Sequence, residues 1–157
     1  DLIFDVLCES KYIIDYGCLG STINGPLVRE DVLQILQETC PNDFQAFPTV
    51  IRCANLKLPA YELTNYWLIN PNNLSGQINE VASDATIDYK NHYITAMKCF
   101  ILQENHMNGH HLSRLNGDRM RVIISPHLHK ILKKSKIKGL KFEKDDTEKW
   151  EKFKDRF

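Results

Sequence analysis

Four groups of residues could carry chemistry, and each implies a different kind. His106, His110 and His111 cluster around Asn108-Gly109, and His127 and His129 follow a serine and a proline. Imidazoles four residues apart on one helical face can hold Zn²⁺, which takes His and Cys ligands. Asn108-Gly109 lies between His106 and His110 and predicts a hairpin, on which that face does not exist. No Cys-x-x-Cys pair completes a ligand set, so these read as surface histidines, with no metal and no cofactor. The five cysteines (Cys8, Cys18, Cys40, Cys53, Cys99) are odd in number and sit mostly in apolar runs, which suggests reduced core thiols in a cytosolic protein. A nucleophilic cysteine stays open, although no surrounding sequence sets one apart. Asp145-Asp146 could ligate a metal, but amid Lys144, Glu148 and Lys149 they read as charges near a helix start. No Gly-rich phosphate loop, Gly-x-Ser-x-Gly elbow or His-Glu-x-x-His helix is present, and no enzyme is expected.

Two charged stretches point to binding instead. Lys130, Lys133, Lys134, Lys136, Lys138 and Lys141 could neutralise phosphates from one helix face. Against that stand the near-absence of Arg in the segment and the acidic remainder of the chain, so a solvated face is favoured over nucleic-acid binding. Glu80, Asp84 and Asp88, with Tyr89 and Tyr93, form the better surface candidate. They occupy Asn79–Lys90 and its edge, an acidic, poorly periodic stretch that reads as loop with a short helical piece and could capture a basic partner by complementary charge. Tyr66-Trp67 resembles an aromatic hot spot, but in a strand the core reading is stronger for both.

Strands and helices must position these groups. Met120–Ile124 is β-prone, Ser125 stands where an N-cap belongs, and Pro126 suits the first helical position. Leu128, Ile131 and Leu132 fall on one face of the helix that follows, and Gly139 reads as its terminator before an extended Leu140–Phe142. Earlier, Val32, Ile35, Leu36 and Thr39 give a second helix over Arg29–Thr39. Phe44–Cys53 reads as a strand whose Pro48 implies an edge or a bulge. Leu2–Leu7 and Tyr12–Tyr16 read as strands, although such short apolar runs also fit buried helix. Tyr61–Asn70 and Ile94–Leu102 are strand candidates, with His111–Leu115 returning beside the latter through Asn108-Gly109. Asn116-Gly117-Asp118 is a further turn. Trp150 and Phe153, three apart, suggest a short C-terminal helix.

These elements predict one α+β domain over residues 1–157: a mixed, largely antiparallel sheet of six to nine strands, two main packed helices and the short C-terminal helix. Val28/Ile124, Val32/Leu128, Ile35/Ile131 and Leu36/Leu132 coincide at a constant offset, which favours two related strand–helix–strand units around residues 27–53 and 120–143. The chain's 157 residues suffice for a real core, and its 43% hydrophobic and 25% charged content is ordinary for a soluble protein. No apolar run is long enough for a transmembrane helix. No secretory signal appears, but the chain starts at Asp1 without a Met, so that absence carries little weight. The net charge of zero hides an asymmetry: from Lys130 onward eleven Lys/Arg face six Asp/Glu, leaving +5 there and −5 on the rest.

The order of these pieces resembles a bacterial family of immunity proteins to polymorphic, contact-delivered toxins, first catalogued as a domain of unknown function. The likeness runs from about Pro26 onward. It includes Phe44-Gln45-Ala46-Phe47-Pro48, Tyr66-Trp67-Leu68-Ile69-Asn70 and Asn79-Glu80-Val81-Ala82-Ser83, where the family has an acidic residue in place of Asn79. It continues through Ser113-Arg114, where the family has an aromatic in place of Ser113. It is strongest in the block from Ile124-Ser125 through Leu128 to Gly139-Leu140-Lys141-Phe142. The resemblance implies a cytoplasmic, non-enzymatic protein that binds one cognate toxin or effector and blocks it, with no cofactor and no membrane. It carries over no contact residue. The toxin-binding candidates Glu80, Asp84, Asp88 and Tyr89 rest on charge and exposure alone. The alternative is a nucleic-acid-binding or regulatory module using the Lys-rich helix over residues 126–138.

Overall fold

The computed structural model describes residues 2–7, 15–21, 25–55 and 58–146. Five strands form the main sheet: β1 (Leu2–Leu7), β2 (Cys18–Leu19), β3 (Leu27–Arg29), β4 (Phe44–Asn55) and β5 (Leu58–Pro71), in the order β1-β4-β5-β3-β2. Only β1 and β4 run parallel; the other pairings are antiparallel. β6 (Ala85–Asp88) pairs with β7 (Tyr93–Met97), and β8 (Leu112–Leu115) with β9 (Asp118–Ile124), as separate two-stranded sheets. The helices among the described residues are α1 (Glu30–Thr39), the single turn α2 (Glu80–Ser83) and α3 (Pro126–Lys134). The architecture is mixed α+β and mostly antiparallel. None of these helices is long and apolar enough to cross a membrane.

Both long helices begin as their sequences dictate. Ser125 is extended and its Oγ accepts from the Leu128 amide at 3.2 Å, while Pro126 opens α3 without needing a donor. Leu128 and Leu132 are buried and Lys130, Lys133 and Lys134 point out. α1 has no side-chain cap from Arg29. Instead Asp31 accepts from the Val32 amide at 2.9 Å and takes two hydrogen bonds from the Arg29 guanidinium. Its buried stripe is Val32, Leu33 and Leu36; Leu33 joins the expected face, and Ile35 and Thr39 are only half-buried.

These helices share one core. Val32, Leu33, Leu36, Leu128 and Leu132 meet Val28, Phe44 and Ile69 of the main sheet, with Trp67 and Ile124 packed against them. Tyr66, on the opposite face of β5, is fully buried beside Leu27, Ile51 and Leu68, and its hydroxyl donates to the Tyr16 carbonyl. Both aromatics are therefore packing residues. Ile78, Met107, Leu115 and Ile123 form a third, smaller cluster beneath the two hairpins.

Several expectations are revised. The strands divide into three sheets instead of one, because the turn at Asn108-Gly109 does not join paired strands. Asn108 and Gly109 do adopt positive φ (48° and 84°), as hairpin turn residues would. The flanking strands nevertheless pair elsewhere, β7 with β6 and β8 with β9. The Ile94–Leu102 run ends as a strand at Met97, and Leu102 makes only an isolated bridge to Ile78. β4 lies inside the sheet, yet Pro48 sits just beyond the start of the β1 ladder at Thr49 and next to a register shift at Thr49/Ile51. A proline is thus accommodated where the ladder is already irregular.

α3 ends before Gly139. Ser135 closes it, its hydroxyl donating to the Leu132 carbonyl at 2.7 Å, and Lys136 takes the left-handed conformation (φ 56°). Gly139 (φ 81°) instead shapes the next turn, where a Cβ would lie 2.8 Å from Cβ of Tyr16. Leu140–Phe142 is irregular, not a strand. Val32 and Leu36 share one core with Leu128 and Leu132, their counterparts at the constant offset, but no strand follows α3 among the described residues as β4 follows α1. The readings at Trp150 and Phe153, at Cys8 and over most of Tyr12–Tyr16 lie outside the described residues; Asp15 and Tyr16 belong to no strand.

Candidate functional site

The short helical piece read within the acidic stretch is the turn α2, and the part read as loop after it is the strand β6. Asn79 caps α2, its Oδ1 accepting from the Ala82 amide at 3.1 Å, and Asp84 ends it in the left-handed conformation (φ 45°). Ser83 is fully buried and locks the unit down. Its carbonyl accepts from the Lys98 and Cys99 amides, and its hydroxyl bonds with the Ile101 backbone. The outer side is left open: Val81 is 88% exposed, Tyr89 69% and Tyr93 55%.

Only two of the four predicted partner-binding residues meet. The Tyr89 hydroxyl donates to Glu80 Oε2 at 2.8 Å, and this bond raises the phenol above its ordinary value. Asp84 is ion-paired with Lys98, both exposed. Asp88 is a turn former: it accepts from Asn91 Nδ2 at 2.7 Å and from the Lys90 and Asn91 amides, which holds its carboxyl below the usual range. Two of the acids are thus tied to local partners.

Beside Glu80 and Tyr89 lies an open cleft of about 240 Å³. Ile78, Ile87 and Ile94 supply its apolar lining. Its walls come from four separate segments stitched by backbone bonds. The Gln103 amide donates to the Gln77 carbonyl at 2.9 Å, Asn116 to Gly76 at 2.6 Å and Ile94 to Gly117 at 2.9 Å. Gln77, His92, Gln103 and Asn116 also line the cleft, and their side chains make no hydrogen bond among the described residues. None of these four was singled out in the sequence. They are isolated polar residues in different segments, and no spacing links them.

The other candidate chemistries dissolve into structure. Asp43, buried at the seam between α1 and β4, accepts from the His111 amide at 2.7 Å, the Leu112 amide at 3.1 Å and His110 Nδ1 at 2.7 Å. Burial works to raise its pKa, but these donors outweigh it and hold the carboxyl below its ordinary value. His111 Nδ1 lies 2.8 Å from Ser125 Oγ. Asp43 grips the His111 backbone rather than its ring, and the serine is a buried helix cap, so this is not the relay of a nucleophilic triad. His111 also packs on His127, with ring centroids 5.0 Å apart.

No group of three or more His, Cys, Asp or Glu among the described residues is arranged to hold a metal. The Asp145-Asp146 carboxylates accept backbone N–H groups of Leu102 and Phe100. Burial raises the Cys18 thiol and pushes Cys40 up to about 11, which disfavours the reactive thiolate at both. No protein-family model matches the chain, and no curated protein matches it in sequence.

Proposed function

We propose that this chain is a cytoplasmic, non-enzymatic immunity protein: a single α+β domain that neutralises one cognate bacterial toxin by stoichiometric binding. In this reading α1 and α3 are its two main packed helices, and the face formed by α2, β6 and β7 contributes to the toxin interface. The observation that carries the reading is the contrast in that face, where Val81, Tyr89 and Tyr93 stand exposed beside Glu80 and Asp84. Exposed aromatics ringed by acids are the composition of a hot spot for a basic partner.

Residues that stand at positions of the family pattern, matching it or not, also make sense as scaffolding. Arg114 donates to Asn70 Oδ1 at 2.9 Å, Asn79 caps α2 and Ser125 caps α3. Such residues fix a fold, and toxin contacts would vary on a different surface. Occlusion would engage about 800 Å² on each partner.

The test is co-expression with the protein encoded immediately upstream. The expected result is relief of growth inhibition and a one-to-one complex on gel filtration, with an association rate that falls as salt rises and on Asp84→Lys. Failure of the upstream-encoded protein to bind would overturn the reading. Asp84 is the better reporter, since Asp88 also holds its own turn.

A second reading keeps one observation of its own. Lys130, Lys133, Lys134, Lys136, Lys138 and Lys141 are all exposed, and the ion pairs among the described residues involve none of them. A nucleic-acid or regulatory module would use this face. Binding to duplex DNA or RNA should then weaken steeply with salt and on joint Lys133→Gln, Lys134→Gln substitution; a flat titration removes it.

A further inference from the structure

We propose that the cleft between α2, the β6–β7 hairpin and the β8–β9 turn receives an arginine side chain from a protein partner. The inference rests on the immunity reading for the identity of that partner, but the cleft's chemistry stands by itself. At about 240 Å³ the cleft falls below the roughly 300–1,000 Å³ of small-molecule and cofactor sites, and its scale is that of a single side chain.

Its charge selects the occupant. The lining carries one carboxylate, Glu80, one imidazole, His92, and neither lysine nor arginine, so phosphate and carboxylate ligands find no permanent counter-charge. Gln77, Gln103 and Asn116 bring to the lining three carboxamides that are unbonded among the described residues, each with a carbonyl acceptor, and Glu80 keeps one oxygen that Tyr89 does not use. A guanidinium presents five N–H donors in a planar fork and needs several acceptors spread around it, which these groups supply. A lysine ammonium has three donors on a compact head and would leave acceptors idle. The Tyr89 ring adds a face for the cation, and Ile87 and Ile94 add apolar surface for the aliphatic stem.

The walls are set before binding. Backbone bonds between Gln103 and Gln77, Asn116 and Gly76, and Ile94 and Gly117 already hold the segments together. A Cβ at Gly117 would lie 2.8 Å from Ile94 Cγ1, so the β8–β9 turn can close against β7 only with glycine there. The backbone of the walls needs no further ordering, and the cost left on binding is that of fixing the carboxamide side chains.

The experiment titrates the isotope-labelled full chain with Nα-acetyl-arginine amide, with the citrulline and lysine amides as controls, and follows backbone and carboxamide resonances by NMR. The expected result is a saturable, millimolar response confined to the cleft. It should be at least about fivefold weaker in Glu80→Gln and Gln103→Ala, weaker for lysine amide, and lost with citrulline amide, which keeps the shape but not the charge. No saturable response, or an equal one with citrulline amide or in Glu80→Gln, overturns the proposal.

A second arm measures the affinity of the upstream-encoded toxin for wild type and Glu80→Gln, with a drop of about tenfold expected. Toxin bound equally by both sinks the cleft and leaves the immunity reading. Arginine amide bound by the cleft with no toxin bound by wild type does the reverse.

Discussion

Asp43 and Glu80 are two carboxylates with nearly the same company and opposite situations. Asp43 meets His110, His111 and Asn73; Glu80 meets Tyr89, with His92 and Asn116 across the cleft. At Asp43 the carboxylate is buried and both of its oxygens accept, one from His110 and the other from the His111 and Leu112 amides. At Glu80 the carboxylate is exposed, takes one phenol hydroxyl, and its polar neighbours are left to water. Residue type does not separate the two places; residual bonding capacity does. A polar cluster whose members are all satisfied closes a seam. One whose members are open can be completed by something else. Among the described residues no buried side-chain nitrogen or oxygen lacks a partner, so the open groups all lie at the surface.

The comparison breaks first at Asp43. Asp43→Ala strands the His111 and Leu112 amides at a buried position, and each unsatisfied donor costs about 1–3 kcal/mol. We expect a loss of roughly 3 kcal/mol in urea denaturation, or about 6–12 °C in Tm for a chain of this size. A change under about 1 kcal/mol would mean that the seam is not closed by this carboxylate.

Acid probes the same group without mutation. The folded pKa of Asp43 lies below the ordinary 3.8, and Asp31, hydrogen-bonded by Arg29, is also lowered. A depressed carboxylate contributes stability that is present above its unfolded value and is lost as pH falls through the folded one. The wild-type denaturation midpoint should therefore drop on acidification below about pH 4, and less steeply in Asp43→Asn. Equal slopes in the two proteins would assign the acid sensitivity elsewhere.

Ser125 comes next in size. Its hydroxyl caps α3 and also meets His111, so Ser125→Ala should cost about 1–2 kcal/mol, while Ser125→Thr should recover part of that. Recovery separates a lost cap from a disturbed backbone. This residue was legible in the sequence because capping is local: Ser125, Pro126 and Leu128 lie within one turn of helix. The same holds for the apolar stripes of α1 and α3 and for the Asn116-Gly117 hairpin turn. Asn108-Gly109 marks where locality ends. Its backbone conformation follows from its own residues, but which strands pair across it is decided by β6, β9 and Gly76, far away in sequence. Asp43 was missed for the same reason. It follows Pro41-Asn42 and looks like any loop acid, and its donors sit 67–69 residues further along the chain. The cleft was only half visible: Glu80 and Tyr89 stood out by charge and aromaticity, whereas Gln77, Gln103 and Asn116 converge only in the folded chain.

The smallest expected effect is the one that tests the open side of the comparison. Gln103→Ala removes an exposed carboxamide that bonds to nothing among the described residues, while the backbone bond from the Gln103 amide to the Gln77 carbonyl stays in place. Stability should move by no more than about 0.5 kcal/mol, as for other surface substitutions away from a structural role. If Gln103→Ala instead destabilised the chain as much as Ser125→Ala, its side chain would be structural after all, and the distinction between a closed seam and an open cleft would fall. If Tm is unmoved, Gln103 is free to be read by a partner, and any change in partner affinity on this substitution reports on the cleft alone.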